Sequence, residues 1–522
     1  MLAPKRCKHG TGQSEDPLGL VDSREGWTDN RLSMLGKRDS RAAYLIGPPR
    51  NLSMSSRRVA LRTSHSRRSF LKSAVGGGAA LALTGWSPQL APLSSHAGVS
   101  SKWLTIQEIK RTTVSLPFRE IPARAMAREI PHWQYLEVFE VTLKSGVVGF
   151  GESMLFYSWG ATNDAAVERA RGKNAAELLW DDTLGAGLQM ALFDAVSRTF
   201  EAPVHALLGT KTHATTTLSW WNIDTSPEDM VAECKEALRL GYRAYKTKGR
   251  PWFDLWKQIE LSAAVVPPEF KIDMDFNDTL LTAERGIPIL KQFDSVPQID
   301  IWETPIPQKD LAGNAAICEA VRPQVAMHYG TPEPRDVIRA NAADGFIANG
   351  GATEVMTVNS VCAMVDKPFW LQLVGSGITA AFSLQFGGVC SHATWPAVNC
   401  HQLFEHPLLT EPILVKEGHA VVRDTPGLGY ELDRATVAKY RVEKPSSRPN
   451  PPRLLETTWP DGRVMYVASG RVNFLLMHAI AGKMPYFEKG VSTRLVPDDG
   501  SARWKELLEK AAVEPYFPGK KG

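Results

Sequence analysis

The eight residues Phe270-Lys271-Ile272-Asp273-Met274-Asp275-Phe276-Asn277 decide the fold. Side chains alternate faces along a strand, so Lys271, Asp273, Asp275 and Asn277 share one face while Ile272, Met274 and Phe276 share the other. In a closed β/α barrel the apolar face would meet the outer helices and the polar face the interior. A polar interior row is costly to bury unless its groups are paired or hold an ion. The flanking segments repeat the arrangement. In Ile299-Asp300-Ile301-Trp302-Glu303, an apolar face ends in a carboxylate, and in Tyr245-Lys246-Thr247-Lys248 two lysines share the end of one face. Two lysines and at least two carboxylates thus arrive from three consecutive strands at one mouth, the end of a barrel that carries chemistry. Salt bridges closing the barrel top are the alternative reading of the same residues.

Working outward, strand candidates fall at 215–221, 244–248, 270–277, 299–303, 325–329, 345–348, 369–374 and 392–398. A linking helix starts at Ser226-Pro227 and stops at Gly241, the expected punctuation. Eight strands with helices between them predict an α/β closed barrel over 214–433, although an open doubly wound sheet satisfies the same alternation. Upstream, 103–213 reads as an α+β unit: strands over 106–117 and 134–150, the latter turning at Lys144-Ser145-Gly146, then helices over 163–173 and 184–200. Downstream, 434–522 begins with a Pro/Ser/Arg-rich linker at 444–452. A hairpin turning at Pro460-Asp461-Gly462 and helices over 473–481 and 502–512 follow, without recognisable chemistry.

Composition is that of a globular protein, 43% hydrophobic and 22% charged. The net charge of +4 conceals an asymmetry, because residues 1–97 hold 15 Lys/Arg against 6 Asp/Glu and leave the remainder at about −5. A mildly acidic remainder argues against a nucleic-acid partner. No apolar run after residue 97 is long enough to span a bilayer. Six scattered cysteines without a CxxC pair speak against a disulfide framework or a structural zinc site. Ser66-Arg67-Arg68-Ser69-Phe70-Leu71-Lys72, the apolar run 74–83 and the small-residue site Ser95-His96-Ala97 together resemble a twin-arginine export signal. The expectation is a leader over 1–97, with the signal at 54–97 after a structureless extension, and a periplasmic or extracellular mature chain.

The residues at the mouth suit abstraction of a carbon acid's α-proton. That proton is very weakly acidic, so the resulting enolate must be stabilised electrostatically. A hard cation such as Mg²⁺ does so through oxygen ligands. A lysine can serve as the base if a neighbouring ammonium and the cation lower its proton affinity.

Lys246-Thr247-Lys248, Asp275-Phe276-Asn277 and Glu303-Thr304-Pro305 resemble, in order and spacing, the mandelate racemase/muconate-lactonizing group of the enolase superfamily. The flanks agree. Gly149-Phe150-Gly151-Glu152 is similar to a strand end of that family's N-terminal capping domain, and Ala191-Leu192-Phe193-Asp194 with the run Pro203 to Gly209 to its last helix. The run Pro426 to Asp433 resembles its closing segment. The resemblance implies a modified (β/α)₇β TIM-like barrel with an α+β cap, and a homo-oligomer. It implies Lys248 as general base and Lys246 as the neighbour that lowers its pKa and meets the substrate carboxylate. Asp275 and Glu303 would be metal ligands with Asn277 nearby, and loops 118–133 and 153–162 would cover the mouth. Arg119, Arg124, Arg128, Trp133, Tyr157 and Trp159 are the candidate substrate contacts on those loops.

The departures concern the third ligand and the second base. The fifth strand reads Val325-Ala326-Met327-His328-Tyr329-Gly330, with no acid where the family usually has a carboxylate. His328 as a ligand would favour Zn, Mn or Fe over Mg; a hydrogen-bonded interior histidine is the alternative, and His328 or Tyr329 is the remaining candidate for a second acid–base group. The sixth and seventh strands lack the Asp, His or Lys that many members use. A small-molecule carboxylate is the expected substrate. The expected reaction is a metal-dependent lyase of the acid-sugar dehydratase kind, which can run with its acid–base groups on one face. A racemase or epimerase, and a binding scaffold that has lost catalysis, are the alternatives.

Overall fold

A computed structural model describes residues 101–157, 160–469 and 474–519. The expected leader with its twin-arginine motif, and Trp159, lie outside the described residues.

The cap is an antiparallel sheet of β1 (Ile106–Ser115), β2 (Tyr135–Leu143) and β3 (Val148–Met154), with the expected turn at residues 144–146. The helix Ala186–Thr199 lies on β3, and the Gly-Phe-Gly-Glu sequence explains how closely. A Cβ on Gly149 would collide with the backbone nitrogen of Ala195, and one on Gly151 with the carbonyl of Gly187. Between the two glycines Phe150 is buried, and its amide donates to Asp194 Oδ2 at 3.0 Å. Asp194 also accepts from Leu428 N at 2.8 Å and Arg198 Nε at 2.8 Å, so one buried carboxylate joins the cap strand, its last helix and the closing segment.

Segment 118–133, expected as a loop, contains the helix Glu120–Glu129. Pro122 falls in its first turn, where the missing N–H costs nothing, and Ala125 and Met126 supply a buried face.

The barrel strands are β4 (Thr215–Trp221), β5 (Ala244–Lys248), β6 (Lys271–Asp275), β7 (Ile299–Glu303), β8 (Gln324–His328), β9 (Gly345–Ala348), β10 (Phe369–Leu371) and β11 (Ala397–Val398). Neighbours from β4 to β10 pair in parallel and β11 pairs in parallel with β4; Phe369 N, in β10, donates to His392 O before β11 at 2.9 Å and Gly375 N, after β10, to Asn399 O after β11 at 3.0 Å, which closes the ring and excludes the open sheet. A helix follows each of the first seven strands, giving (β/α)₇β. A hairpin of β12 (Val415–Lys416) and β13 (His419–Val421) runs antiparallel to the start of β4.

The C-terminal segment forms a sheet of β14 (Leu454–Thr458), β15 (Val464–Ala468) and β16 (Ser492–Val496), with the helices Phe474–Ile480 and Ala502–Lys510. The strand β16 is additional to the expected hairpin. It is five residues long and pairs only with β14, far back in the chain, so nothing local announces it.

Cap and barrel are joined through Glu152, the last residue of the Gly-Phe-Gly-Glu sequence. It is fully buried and accepts from Ser376 N (2.7 Å), Ser376 Oγ (2.6 Å), Thr379 N (2.9 Å) and Thr379 Oγ1 (2.7 Å) at the start of the helix Gly377–Val389. Removing one side of such a cluster strands buried donors. Glu152→Leu should therefore lower unfolding stability by about 3–5 kcal/mol, measured by urea titration; a loss below about 1 kcal/mol would contradict this joint.

Candidate active site

Four charged or imidazole side chains sit on the last residues of four adjacent strands: Lys248 on β5, Asp275 on β6, Glu303 on β7 and His328 on β8. Register makes them neighbours, because Lys248 pairs with Asp275 and Asp275 with Glu303. The alternation read from sequence holds. Lys246, Lys248, Asp273, Asp275 and Glu303 face inward, while Phe276 and Trp302 meet edge-on in the outer layer with ring centroids 5.6 Å apart.

Lys248 Nζ donates to Asp275 Oδ2 at 2.5 Å and to Asn277 Oδ1 at 3.1 Å. Lys246 Nζ is ion-paired with Glu303 Oε2 and lies 3.9 Å from Asp275 Oδ2. It also donates to Gln372 Oε1 at 3.2 Å, just past β10 on the far side of the ring. The lysines' proton affinities diverge. Burial, and then the charges of Lys246 and Arg250, outweigh Asp275 and lower the pKa of Lys248. Burial also acts to lower that of Lys246, but Glu303 and Asp275 outweigh it and raise the net value. For Asp275, burial opposes ionisation, yet Lys248, Lys246 and Arg250 hold its carboxyl below the ordinary range. Deeper in the barrel, Asp273 pairs in register with Lys246, and burial together with Asp300 pushes its carboxyl far up.

The turn after β6 is built for this site. Asn277 (φ 43°) and Asp278 (φ 67°) are both left-handed, a conformation Asn and Asp tolerate best among residues with a Cβ. The turn lets Asn277 N donate to Asp275 Oδ1 at 2.8 Å. Thr304, after β7, holds φ 41° and donates its hydroxyl to the same oxygen at 3.1 Å. A β-branched residue in that region is strained, and here the strain accompanies a hydrogen bond to the site.

Three functional neighbours were missed by the sequence reading. Arg250, two residues past Lys248, continues the same alternation and so was legible. It is buried and donates to Asn277 Oδ1 at 2.7 Å, Phe276 O at 3.0 Å and Asp224 Oδ1 at 3.0 Å. Trp221 ends β4 beside Lys246 in register and stacks on Trp133 at 5.4 Å, with Tyr157 edge-on to Trp133 at 5.2 Å. Asp278 is raised to about 6, first by burial and then by the charge of Asp275.

Of the candidate loop residues, Trp133 and Tyr157 reach the rim through that aromatic group. Arg128 is buried, pairs with Glu129 at 2.7 Å and donates to the carbonyl of Asp224 beyond β4. Arg119 and Arg124 go elsewhere. Arg119 bonds Glu233 at 3.1 Å and stacks on Trp220, and Arg124 bonds Asp229 at 2.6 Å, so both engage the outer helix Pro227–Arg239. Helical geometry sets this, because residues 119 and 124 lie at and near the start of a helix that runs against that neighbour.

His328 Nε2 lies 3.3 Å from Glu303 Oε1. Among the described residues no group of three His, Cys, Asp or Glu side chains is arranged to hold a metal ion, Asp275, Glu303 and His328 included. The residues nevertheless suit a cation in part. Both Glu303 oxygens are buried and accept no hydrogen bond of directed geometry, their contacts being the ion pairs with Lys246 and His328. Together with Asp275 they form a hard-oxygen pair with an imidazole alongside.

Residues 229–436 match the family described as "Enolase C-terminal domain-like". Arabinonate dehydratase of Saccharolobus solfataricus is 22% identical over 341 residues, covering 58% of this chain and 90% of that protein. Muconate cycloisomerase 1 of Rhodococcus opacus is 24% identical over 383 residues, covering 65% and 98%. Muconate lactonizing enzyme from Pseudomonas fluorescens, solved with muconolactone, superimposes with a TM-score of 0.55 at 19% identity over 65% of this chain and all of that one, a likeness of fold. Residues 229–436 thus match the barrel domain of the enolase superfamily, and the similar proteins named are of its muconate-lactonizing and acid-dehydratase kind. Members use a divalent metal, typically magnesium.

The raised Asp278 yields a signed prediction. Between pH 4 and 6 the folded chain keeps a proton that the unfolded chain, with an ordinary carboxyl at 3.8, has released. Stability therefore falls as pH rises through that window. In chelator, Asp278→Asn should leave stability unchanged near pH 4 and raise it by about 1–2 kcal/mol at pH 7. Thermal unfolding at the two pH values checks this, and an equal effect at both would contradict it.

Proposed function

We propose that this chain removes the α-proton of a small carboxylate with Lys248 as base, and that the overall reaction is the loss of water from a hydroxy acid. The observation that carries the reading is the convergence of Lys246 and Lys248 on Asp275 and Glu303 at one mouth. The names of the relatives, an arabinonate dehydratase and a muconate cycloisomerase, refer to carboxylates and support the substrate class.

Asp275 and Glu303 would hold a divalent cation, with His328 as the nitrogen donor beside them. When bound, that cation supplies positive charge to the substrate carboxylate, whose negative charge doubles as the α-proton leaves. Lys246, kept protonated by Glu303, donates hydrogen bonds to the substrate carboxylate. Neutral Lys248 takes the α-proton, and the C–H electron pair moves into the carboxylate to give the enolate. When that pair returns to form the Cα–Cβ double bond, the β-hydroxyl leaves, protonated by Lys248, and departs as water. Lys248 ends neutral, and because a sugar acid carries a second hydroxyl on Cα, the product is an enol that tautomerises to a 2-keto acid. One lysine thus serves both halves on one face, which suits a barrel whose β9 and β10 segments carry Phe346-Ile347-Ala348-Asn349 and Trp370-Leu371-Gln372 in place of a second base.

A racemase or epimerase is the second reading, favoured by the presence of N-succinylamino acid racemases among the relatives. The test is a panel of sugar acids and N-acylated amino acids incubated with Mg²⁺ in D₂O. The expected outcome is 2-keto acid formation with one substrate class, reduced about 10³-fold or more in Lys248→Met. Deuterium at Cα with inversion and no loss of water would replace dehydration by racemisation.

A further inference from the structure

The C-terminal segment beyond residue 442 lies outside the family match, which ends at 436, yet it does not hang free of the barrel. Its hydrophobic core is shared. Leu455, Trp459, Met465, Val467, Leu475 and Val491 pack in one cluster with Trp252 and Phe253, which belong to the loop after β5.

Polar contacts tie the same segment to three elements of the mouth. Buried Arg453 donates from Nη1 to the carbonyls of Arg128 and Glu129, both at 2.8 Å, at the end of the cap helix. Thr493 Oγ1 donates to Trp252 O at 2.8 Å, and Gly490 N to Asp254 Oδ2 at 2.6 Å, on the loop after β5. Tyr486 Oη donates to Leu280 O at 3.1 Å, and Phe487 meets Phe276 edge-on at 5.9 Å, on the turn after β6.

Two of these three elements carry site residues. The loop after β5 begins with Arg250, whose guanidinium lies 5.3 Å over the Trp252 ring. Arg250 and Lys248 donate to the same oxygen, Asn277 Oδ1, at the turn after β6.

We propose that residues 443–469 and 474–519 form a strap that locks the cap helix Glu120–Glu129 to the β5 and β6 loops, and that through Trp252 and Arg250 it positions Asn277 beneath Lys248. The strap rests on the reading of this mouth as the active site. It makes Arg250 a positioning residue and gives the cap helix a fixed seat, so that the width of the entrance depends on a segment outside the family match.

Deleting the strap would strip Trp252 and Phe253 of their core, so side-chain variants of the full chain are the test. Amide hydrogen exchange would be followed by mass spectrometry in Arg453→Gln and in the milder Tyr486→Phe. The expected result is about tenfold faster exchange in peptides spanning 119–133 for Arg453→Gln and 276–282 for Tyr486→Phe. The distant helix Ala352–Val365 should be unchanged in both. With whichever acid proves to be turned over, KM should rise several-fold in both variants. Exchange changes confined to 443–519, with the mouth peptides unaltered, would overturn the strap. If Lys248→Met abolishes turnover while the strap variants alter neither exchange nor KM, the proton transfer stands and the strap falls. If the mouth peptides loosen but no acid is turned over, the strap stands and the reaction falls.

Discussion

Two lysines and two carboxylates, packed together at the mouth of a barrel with Lys248 alone partly exposed, form the constraint on which the rest depends. Isolated charges at that depth are too costly to keep. Lys246, Lys248, Asp275 and Glu303 are tolerated because each lies within ion-pair reach of an opposite charge. The arrangement in turn requires β5, β6 and β7 to be parallel, adjacent and in the observed register. Barrel closure, the left-handed turn at Asn277 and Asp278 and the strained Thr304 serve that placement.

The same balance makes the site responsive. Each ammonium matches a carboxylate that a divalent cation would also claim, so cation binding and lysine protonation compete for Asp275 and Glu303. A cation taking Asp275 would release Lys248 from its strongest attraction while adding a positive charge nearby. Both changes lower the lysine's proton affinity. Lys246 differs because Glu303 and Asp275 outweigh the effect of its burial and raise its proton affinity, and it remains the cationic partner.

Much of this was legible in the sequence because strand periodicity is a strong local signal. The alternation in 270–277 placed Asp273 and Asp275 inward and Phe276 outward, and the ring contact of Phe276 with Trp302 agrees. The Gly-Phe-Gly-Glu sequence was recognised by resemblance, while its physical reasons, the backbone contacts of the glycines and the four donors around Glu152, belong to tertiary structure. Arg119 and Arg124 were assigned to the substrate because segment 118–133 read as a loop. A helix there turns them toward the outer layer. Arg250 followed the same alternation as the lysines but fell beyond the assigned strand end. The role of residues 443–519 could not be read at all, because a shared core between Trp252 and Leu455 leaves no trace in local pattern.

The central claim, that Lys248 is a base set by its carboxylate and cation neighbours, is tested most directly by NMR of ¹³Cε-labelled lysine. The Lys248 signal, assigned with Lys248→Met, would be followed as a function of pH with and without Mg²⁺. The expected titration midpoint lies below that of an ordinary lysine, moves lower still with Mg²⁺ and no longer responds to Mg²⁺ in Glu303→Gln. A Lys248 that titrates as an exposed lysine does, and whose signal Mg²⁺ leaves unmoved, would contradict it.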